Sequence, residues 1–79
     1  DHPLNGKLII FSIIRNKILS KKIEECGGIV KDTFTKKINY LIVSDENDQT
    51  SKVLKAKELG IPILTIENFC LKFNITLDE

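Results

Sequence analysis

The chain has 79 residues, of which 42% are hydrophobic and 29% charged, and it contains neither methionine nor tryptophan. Domains usually hold about 100–150 residues, so the length predicts one small domain, and the apolar content excludes a disordered tail. The formal net charge of +1 excludes a strongly basic domain, so any contact with nucleic acid must come from lysines clustered in one place.

The sequence offers little for catalysis, for a metal or for a membrane. It has one histidine, His2, and its two cysteines, Cys26 and Cys70, are far apart and lack Cys-x-x-Cys spacing. We therefore expect no metal, no cofactor and no Ser-His-acid arrangement, and a binding domain rather than an enzyme. No apolar stretch approaches the ~18 residues of a membrane-spanning helix. Few cysteines are typical of a reducing compartment, which predicts an intracellular protein.

Apolar runs and helical patterns alternate along the chain, which predicts parallel strands joined by helices. Leu8–Phe11 is a continuous apolar run, typical of a strand covered on both faces. A helix is predicted over residues 16–26. The pair Gly27-Gly28 ends this helix, because glycine enters the left-handed region without steric penalty, and a second glycine lets the chain turn into a strand that begins at Ile29.

The second half of the chain repeats this alternation. Tyr40–Val43 has the β-branched composition of a strand, and Ser51–Leu59 the pattern of a helix that Gly60 ends. Pro62 marks the start of a fourth strand. Thr65 is a predicted N-cap of a third helix, whose apolar positions follow the i, i+3, i+4, i+7 template: Ile66, Phe69, Cys70 and Phe73. The predicted order is β-α-β-β-α-β-α.

Together with Gly27-Gly28, three stretches resemble the BRCT module of DNA replication and repair proteins: LNGKLIIF at 4–11, YLIV at 40–43 and KAKELGIPIL at 55–64. The resemblance implies an α/β fold of three layers (α/β/α), with a four-stranded parallel sheet and three helices. The first and third helices would lie on one side and the second on the other. We expect a single BRCT domain over residues 1–79, with a core of about 4–73, excised from a longer protein. Residues 51–61 are most similar to BRCT domains of NAD-dependent DNA ligases and of the replication factor C large subunit.

Two residues are candidates for binding an anion. Lys52 falls in the first turn of the predicted second helix, where a cation opposes the helix dipole at a cost of about 0.3–1 kcal/mol. It is either an ordinary surface lysine or the complement of a bound anion. Ser12 ends the first strand, where the loops of a parallel sheet gather, and its hydroxyl could donate to a phosphate or satisfy a local backbone group.

The resemblance adds roles for these residues. BRCT domains that bind phosphate use a Ser or Thr at the end of the first strand and a Lys at the start of the second helix, which Ser12 and Lys52 match. An arginine early in the first helix supports that pocket, and Arg15 is the nearest counterpart. Ile13 departs from the family pattern, which has a glycine there. Phe69 takes the place of a tryptophan common in the third helix.

Four further lysines are candidates for contacts with the DNA backbone beside the pocket. Lys17 and Lys21 lie one helical turn apart, and Lys36 and Lys37 follow each other in the connection between the second and third strands. The alternative is that they form solvated faces.

The resemblance leaves two functions open. The first is recognition of phosphate-bearing DNA, a 5′ phosphate end or a nick. The second is docking of another BRCT domain or a phosphoprotein, which the near-neutral charge and the pair Ile13-Ile14 favour. Phosphopeptide reading usually needs two tandem BRCT domains, and this chain holds one. We expect the nucleus as the location in a eukaryote and the cytoplasm in a bacterium or virus.

Overall fold

The computed structural model describes residues 2–13, 16–45, 47 and 49–77. The predicted order of elements is confirmed, with bounds within about two residues of those expected from the sequence. The strands and helices are β1 Leu8–Phe11, α1 Lys17–Glu25, β2 Ile29–Lys31, β3 Tyr40–Val43, α2 Ser51–Leu59, β4 Ile63–Thr65 and α3 Ile66–Phe73.

The four strands form one parallel sheet in the order β2-β1-β3-β4. Ile9 of β1 pairs with Val30 on one side and with Tyr40 on the other. Asn39 extends this pairing at the amino end of β1. Its side-chain Oδ1 accepts from the Leu8 N–H at 2.7 Å, and its own N–H donates to the Leu8 carbonyl at 2.8 Å. The register of β3 against β1 is therefore fixed by a side chain as well as by the backbone.

The sheet separates two core layers because successive strand side chains point to opposite faces. The first layer contains Ile9, Phe11 and Ile42 of the sheet packed with residues of α1 and α3: Leu19, Ile23, Phe69 and Phe73. The second contains Ile10, Leu41 and Val43 packed with residues of α2: Val53 and Ala56. The helices thus lie on the sides that the BRCT resemblance implies.

The Gly27-Gly28 pair ends α1 in a Schellman arrangement. Gly27 has a φ of +90°, and its N–H donates to the Glu24 carbonyl at 3.0 Å while the Gly28 N–H donates to the Ile23 carbonyl at 2.9 Å. Both positions are also tightly packed. A Cβ on Gly27 would overlap Oδ1 of Asn5, and one on Gly28 would lie 2.6 Å from Cγ2 of Ile23. Gly27 is therefore needed for its left-handed backbone conformation, and both glycines are needed because their neighbours leave no room for a side chain.

The other two helices also end at a residue with a left-handed backbone, and two helices begin at a side-chain N-cap. Gly60 ends α2 as predicted, with a φ of +73°, and the Ile61 N–H donates to the Ala56 carbonyl at 2.8 Å. Asn74 takes this role after α3 with a φ of +56°, a position that the sequence analysis did not mark. At the start of α3, the predicted N-cap Thr65 accepts from the Asn68 N–H at 3.1 Å. Asn16 caps α1 in the same way through the Leu19 N–H.

Both cysteines carry free thiols and are half-buried against the first core layer. Burial raises the pKa of the Cys70 thiol above its ordinary value, and the Lys22 ammonium partly offsets this effect. Since the thiolate is the reactive form, a raised pKa makes Cys70 a poor nucleophile. Within the described ranges, no helix has the length and apolar character needed to cross a membrane.

Candidate functional site

The carboxyl ends of β1, β2 and β3 meet at one edge of the sheet. The chain leaves β1 toward α1 on one face and leaves β3 toward α2 on the other, so a crevice opens between these two strands. Such a topological switch point is where open parallel sheets bind ligands. Ser12 lies here directly after β1, with its N–H donating to the Ile42 carbonyl at 2.9 Å, and it is 7% exposed.

Lys52 reaches this edge from the first turn of α2. Its Nζ donates to the carbonyl of Phe11 at 3.1 Å, a contact between residues that are 41 positions apart. Because Phe11 immediately precedes Ser12, the ammonium lies at the end of β1 beside that serine. The structure therefore brings together the two residues that the sequence pairs as a candidate anion site.

Lys52 borders a small recess of about 100 Å³, which we call the Lys52 recess. It is lined by Phe11, Ile13, Lys31, Asp32 and Lys52. Ser12 lies between two of its lining residues but does not itself line it. Two lysines and one carboxylate give the recess a formal charge of +1.

The ammonium of Lys52 keeps capacity for a ligand. A lysine has three N–H donors. One of these donates to the neutral carbonyl of Phe11 at 3.1 Å. Ile13, 61% exposed, forms an apolar wall where the family pattern has glycine. An anion would therefore meet side-chain donors from α2 and β2 rather than a glycine backbone.

Lys31 and Asp32 are residues of the recess that the sequence analysis did not identify. They lie at the end of β2, which pairs with β1 so that Ile10 faces Lys31. The available signal was the parallel pairing itself, since neighbouring parallel strands end at the same edge of a sheet.

The predicted DNA-backbone lysines fall into two places. Lys17 and Lys21 are exposed on α1, which begins at the edge where β1 ends, and they border a groove of about 400 Å³. Lys36 and Lys37 are exposed in the loop that leads to the amino end of β3, and Lys36 lines a separate groove with Lys55 of α2. The structure does not bring this second pair to the Lys52 recess. Arg15 and Ile14 lie outside the described residues.

Comparison with known proteins identifies the fold family. The model of the BRCA1 C Terminus (BRCT) domain matches residues 1–70. The chain belongs to the BRCT family. The fold is similar to that in a crystal structure of S. pombe Rad4 BRCT3,4, with a TM-score of 0.66 and 19% sequence identity. The matched region covers 96% of this chain and 45% of that one. At this identity the likeness shows the fold alone.

Curated proteins similar in sequence to this chain include DNA ligases. The BRCT domain is 31% identical to the putative DNA ligase 205R of Invertebrate iridescent virus 6, covering 92% of this chain and 16% of the relative. It is 38% identical to the DNA ligase of Carboxydothermus hydrogenoformans, and the match covers 87% of this chain and 11% of that relative. The predicted resemblance to ligase BRCT domains is confirmed, and it places the domain in the context of DNA repair and replication. The chain spans only a small part of these relatives.

A second surface of the BRCT domain is an open groove of about 830 Å³ beside α3, which we call the α3 groove. Its apolar lining includes Leu71, which is 76% exposed, and Ile75. The charged residues among its lining are Asp45 and Glu67. No local sequence pattern predicts this groove, because its walls come from three separate stretches of the chain.

A metal has no evident place in the described part of the BRCT domain. Across residues 2–13, 16–45, 47 and 49–77, no three His, Cys, Asp or Glu side chains are grouped as a metal ion would require. The acidic loop after β3 instead makes a local turn, in which the Asn47 N–H donates to Oδ1 of Asp45 at 3.0 Å.

Proposed function

We propose that this BRCT domain is a non-catalytic binding module that recognises the 5′ phosphate of a DNA end or nick, as part of a longer, DNA ligase-like protein. The observation that carries the proposal is the 3.1 Å contact between Lys52 Nζ and the Phe11 carbonyl. This contact sets an ammonium beside Ser12 at the edge where parallel sheets bind ligands. In the proposal, Lys52 and Ser12 hold the phosphate, with Arg15 supporting them.

The charge of the domain suits a terminal phosphate better than a long DNA footprint. A phosphate monoester carries about −1.5 to −2 charges at pH 7, against one for each phosphodiester of the backbone. The domain has a formal net charge of +1 and acidic residues after β3, so it has few uncompensated cations that could contact the phosphates of the DNA backbone. Lys17 and Lys21, on the helix that begins at this edge of the sheet, are proposed backbone contacts, and the contacts of Lys36 and Lys37 stay a prediction.

The test is a comparison of two DNA ligands that differ in one group. A labelled duplex with a recessed 5′ end, with or without the 5′ phosphate, is titrated into the 79-residue chain and followed by fluorescence anisotropy. We expect tighter binding of the phosphorylated duplex by about tenfold, or about 1.4 kcal/mol. Affinity for both duplexes should fall as salt rises. A 3′-phosphorylated duplex is the matched control. Equal dissociation constants for all three duplexes would end the proposal.

The α3 groove favours a second candidate function, docking of another BRCT domain or a phosphoprotein. Leu71 is the most exposed of the large apolar side chains that the structure describes, at 76%, and it lines this groove. Exposed apolar patches that are rimmed by polar residues are typical of protein interaction sites. DNA binding at the Lys52 recess and docking at the α3 groove use different residues, so one domain could do both.

Substitution of Leu71 tests this second function. Leu71→Ser should change the free energy of unfolding by no more than about 0.5 kcal/mol, because the side chain is mostly exposed. If the groove pairs two copies of the domain, the same substitution should lower self-association in sedimentation equilibrium at least about tenfold. Leu54→Ser is the matched control, since Leu54 is 53% exposed on α2. A wild-type chain that stays monomeric at millimolar concentration would exclude self-pairing.

A further inference from the structure

We infer that Lys31 is a second cationic residue of the phosphate site and acts with Lys52 on the same phosphate. This inference rests on the proposed function, because it assigns another residue to that site. Neither the BRCT resemblance nor the pattern of the sequence marks Lys31, which stands at the start of a polar connection.

The strand register determines the face on which Lys31 lies. Side chains alternate along β2, and Val30 packs against the first core layer with α1 and α3. Lys31 therefore lies on the opposite face, the face of α2, next to its partner Ile10 of the second core layer. Lys52 approaches from α2 on that same face. The two lysines consequently line the Lys52 recess from different elements, one from the sheet and one from the helix.

The charges of the recess make Lys31 as important as Lys52. The described lining of the recess, with both lysines and Asp32, has a formal charge of +1, and loss of either lysine lowers that charge by one. The lower charge would weaken the preference of the recess for a phosphate monoester over an unphosphorylated DNA end. Lys31 is also half-buried, so its charge is less screened by solvent than that of a fully exposed lysine.

A different explanation for Lys31 is protection of a sheet edge. β2 is an edge strand, and lysines on edge strands discourage pairing with other chains. On that explanation, replacing Lys31 would alter solubility or association and would leave the preference for a phosphorylated DNA end unchanged. The two explanations therefore predict different values for the ratio of the dissociation constants of the unphosphorylated and phosphorylated duplexes.

The experiment measures, for each variant, the ratio of the dissociation constants for the unphosphorylated and 5′-phosphorylated duplex. Both duplexes meet the same folded fraction of protein, so partial unfolding cancels from this ratio. Lys31→Gln is expected to lower the ratio from about tenfold to about twofold, and Lys31→Arg, which keeps the charge, to retain at least half of it. Lys57→Gln is the control, because Lys57 is exposed in the last turn of α2. This substitution also removes one positive charge, but at a position outside the recess.

Failure of this inference differs from failure of the proposed function. If the wild-type ratio is one, the phosphate site itself is absent. If the wild-type ratio is about ten, Lys52→Gln lowers it, and Lys31→Gln behaves as Lys57→Gln does, the site exists and Lys31 is only an edge lysine. A fall in the ratio for both Lys31→Gln and Lys52→Gln, with recovery in Lys31→Arg, establishes the two-lysine site.

Discussion

Replacing Lys52 with glutamine is expected to remove most of the preference for a 5′-phosphorylated DNA end while leaving the domain folded. The variant loses the ammonium that the structure places at the end of β1, 3.1 Å from the Phe11 carbonyl. A hydrogen bond to a charged group contributes about 1.5–3 kcal/mol, which is enough to account for the whole of a roughly tenfold preference for the phosphorylated duplex. Binding of the unphosphorylated duplex should change much less.

The stability of the Lys52→Gln variant should separate a binding role from a structural one. In the first turn of α2, which has no acidic residue, a cation opposes the helix dipole, so its removal favours the helix by about 0.3–1 kcal/mol. Loss of the contact with Phe11 acts in the opposite direction. We therefore expect a free energy of unfolding within about 1 kcal/mol of the wild type, measured by urea denaturation.

Lys57→Gln is the matched control for this experiment because it removes a lysine from the other end of the same helix. Lys57 lies in the last turn of α2, where a cation complements the dipole, so its loss should slightly destabilise the fold and leave phosphate preference intact. Both variants should stay folded, and they should differ in the phosphate preference, which Lys52→Gln loses and Lys57→Gln keeps. A Lys52→Gln variant that keeps the wild-type phosphate preference would show that Lys52 is an ordinary surface lysine.

The sequence predicted the elements well because the signals that determine them are local. The apolar run at Leu8–Phe11, the N-cap Thr65 and the helix stops at Gly27 and Gly60 each act within one turn or one strand of the chain. The pairing of Lys52 with the end of β1 was also predictable, because the carboxyl ends of parallel strands share an edge with the helices that follow them.

The remaining features depend on contacts that are distant in the sequence. Lys31 reads as part of a polar connection until the register of β2 against β1 is known, and only that register assigns it to the α2 face. In α2, the apolar residues do not all face the core: Val53 and Ala56 are buried, whereas Leu54 and Leu59 are 53% and 46% exposed. The α3 groove likewise combines stretches near residues 44, 66 and 76, which no local pattern joins.

Gly27→Ala is expected to be among the most destabilising single-methyl changes in the domain. A left-handed backbone costs a residue with a Cβ about 1–2 kcal/mol. At Gly27, the added Cβ would also overlap Oδ1 of Asn5 and lie 3.3 Å from the Asn5 Cα. The loop at Asn5 cannot move freely, because the neighbouring Gly6 N–H donates to the Gly27 carbonyl at 2.9 Å. Overpacking of this kind costs about 1–3 kcal/mol more.

Gly60→Ala separates the backbone cost at Gly27 from the packing cost. Gly60 ends α2 with the same hydrogen-bond arrangement and a φ of +73°, but nothing lies within 4 Å of a Cβ added there. Urea denaturation should therefore show a loss of about 1–2 kcal/mol for Gly60→Ala and of about 2–5 kcal/mol for Gly27→Ala. Since a domain of this length is stabilised by about 4–12 kcal/mol in total, the second loss is a large share of its stability. Equal losses at the two positions would mean that Asn5 yields at no cost, and that Gly27 is required for its backbone conformation alone.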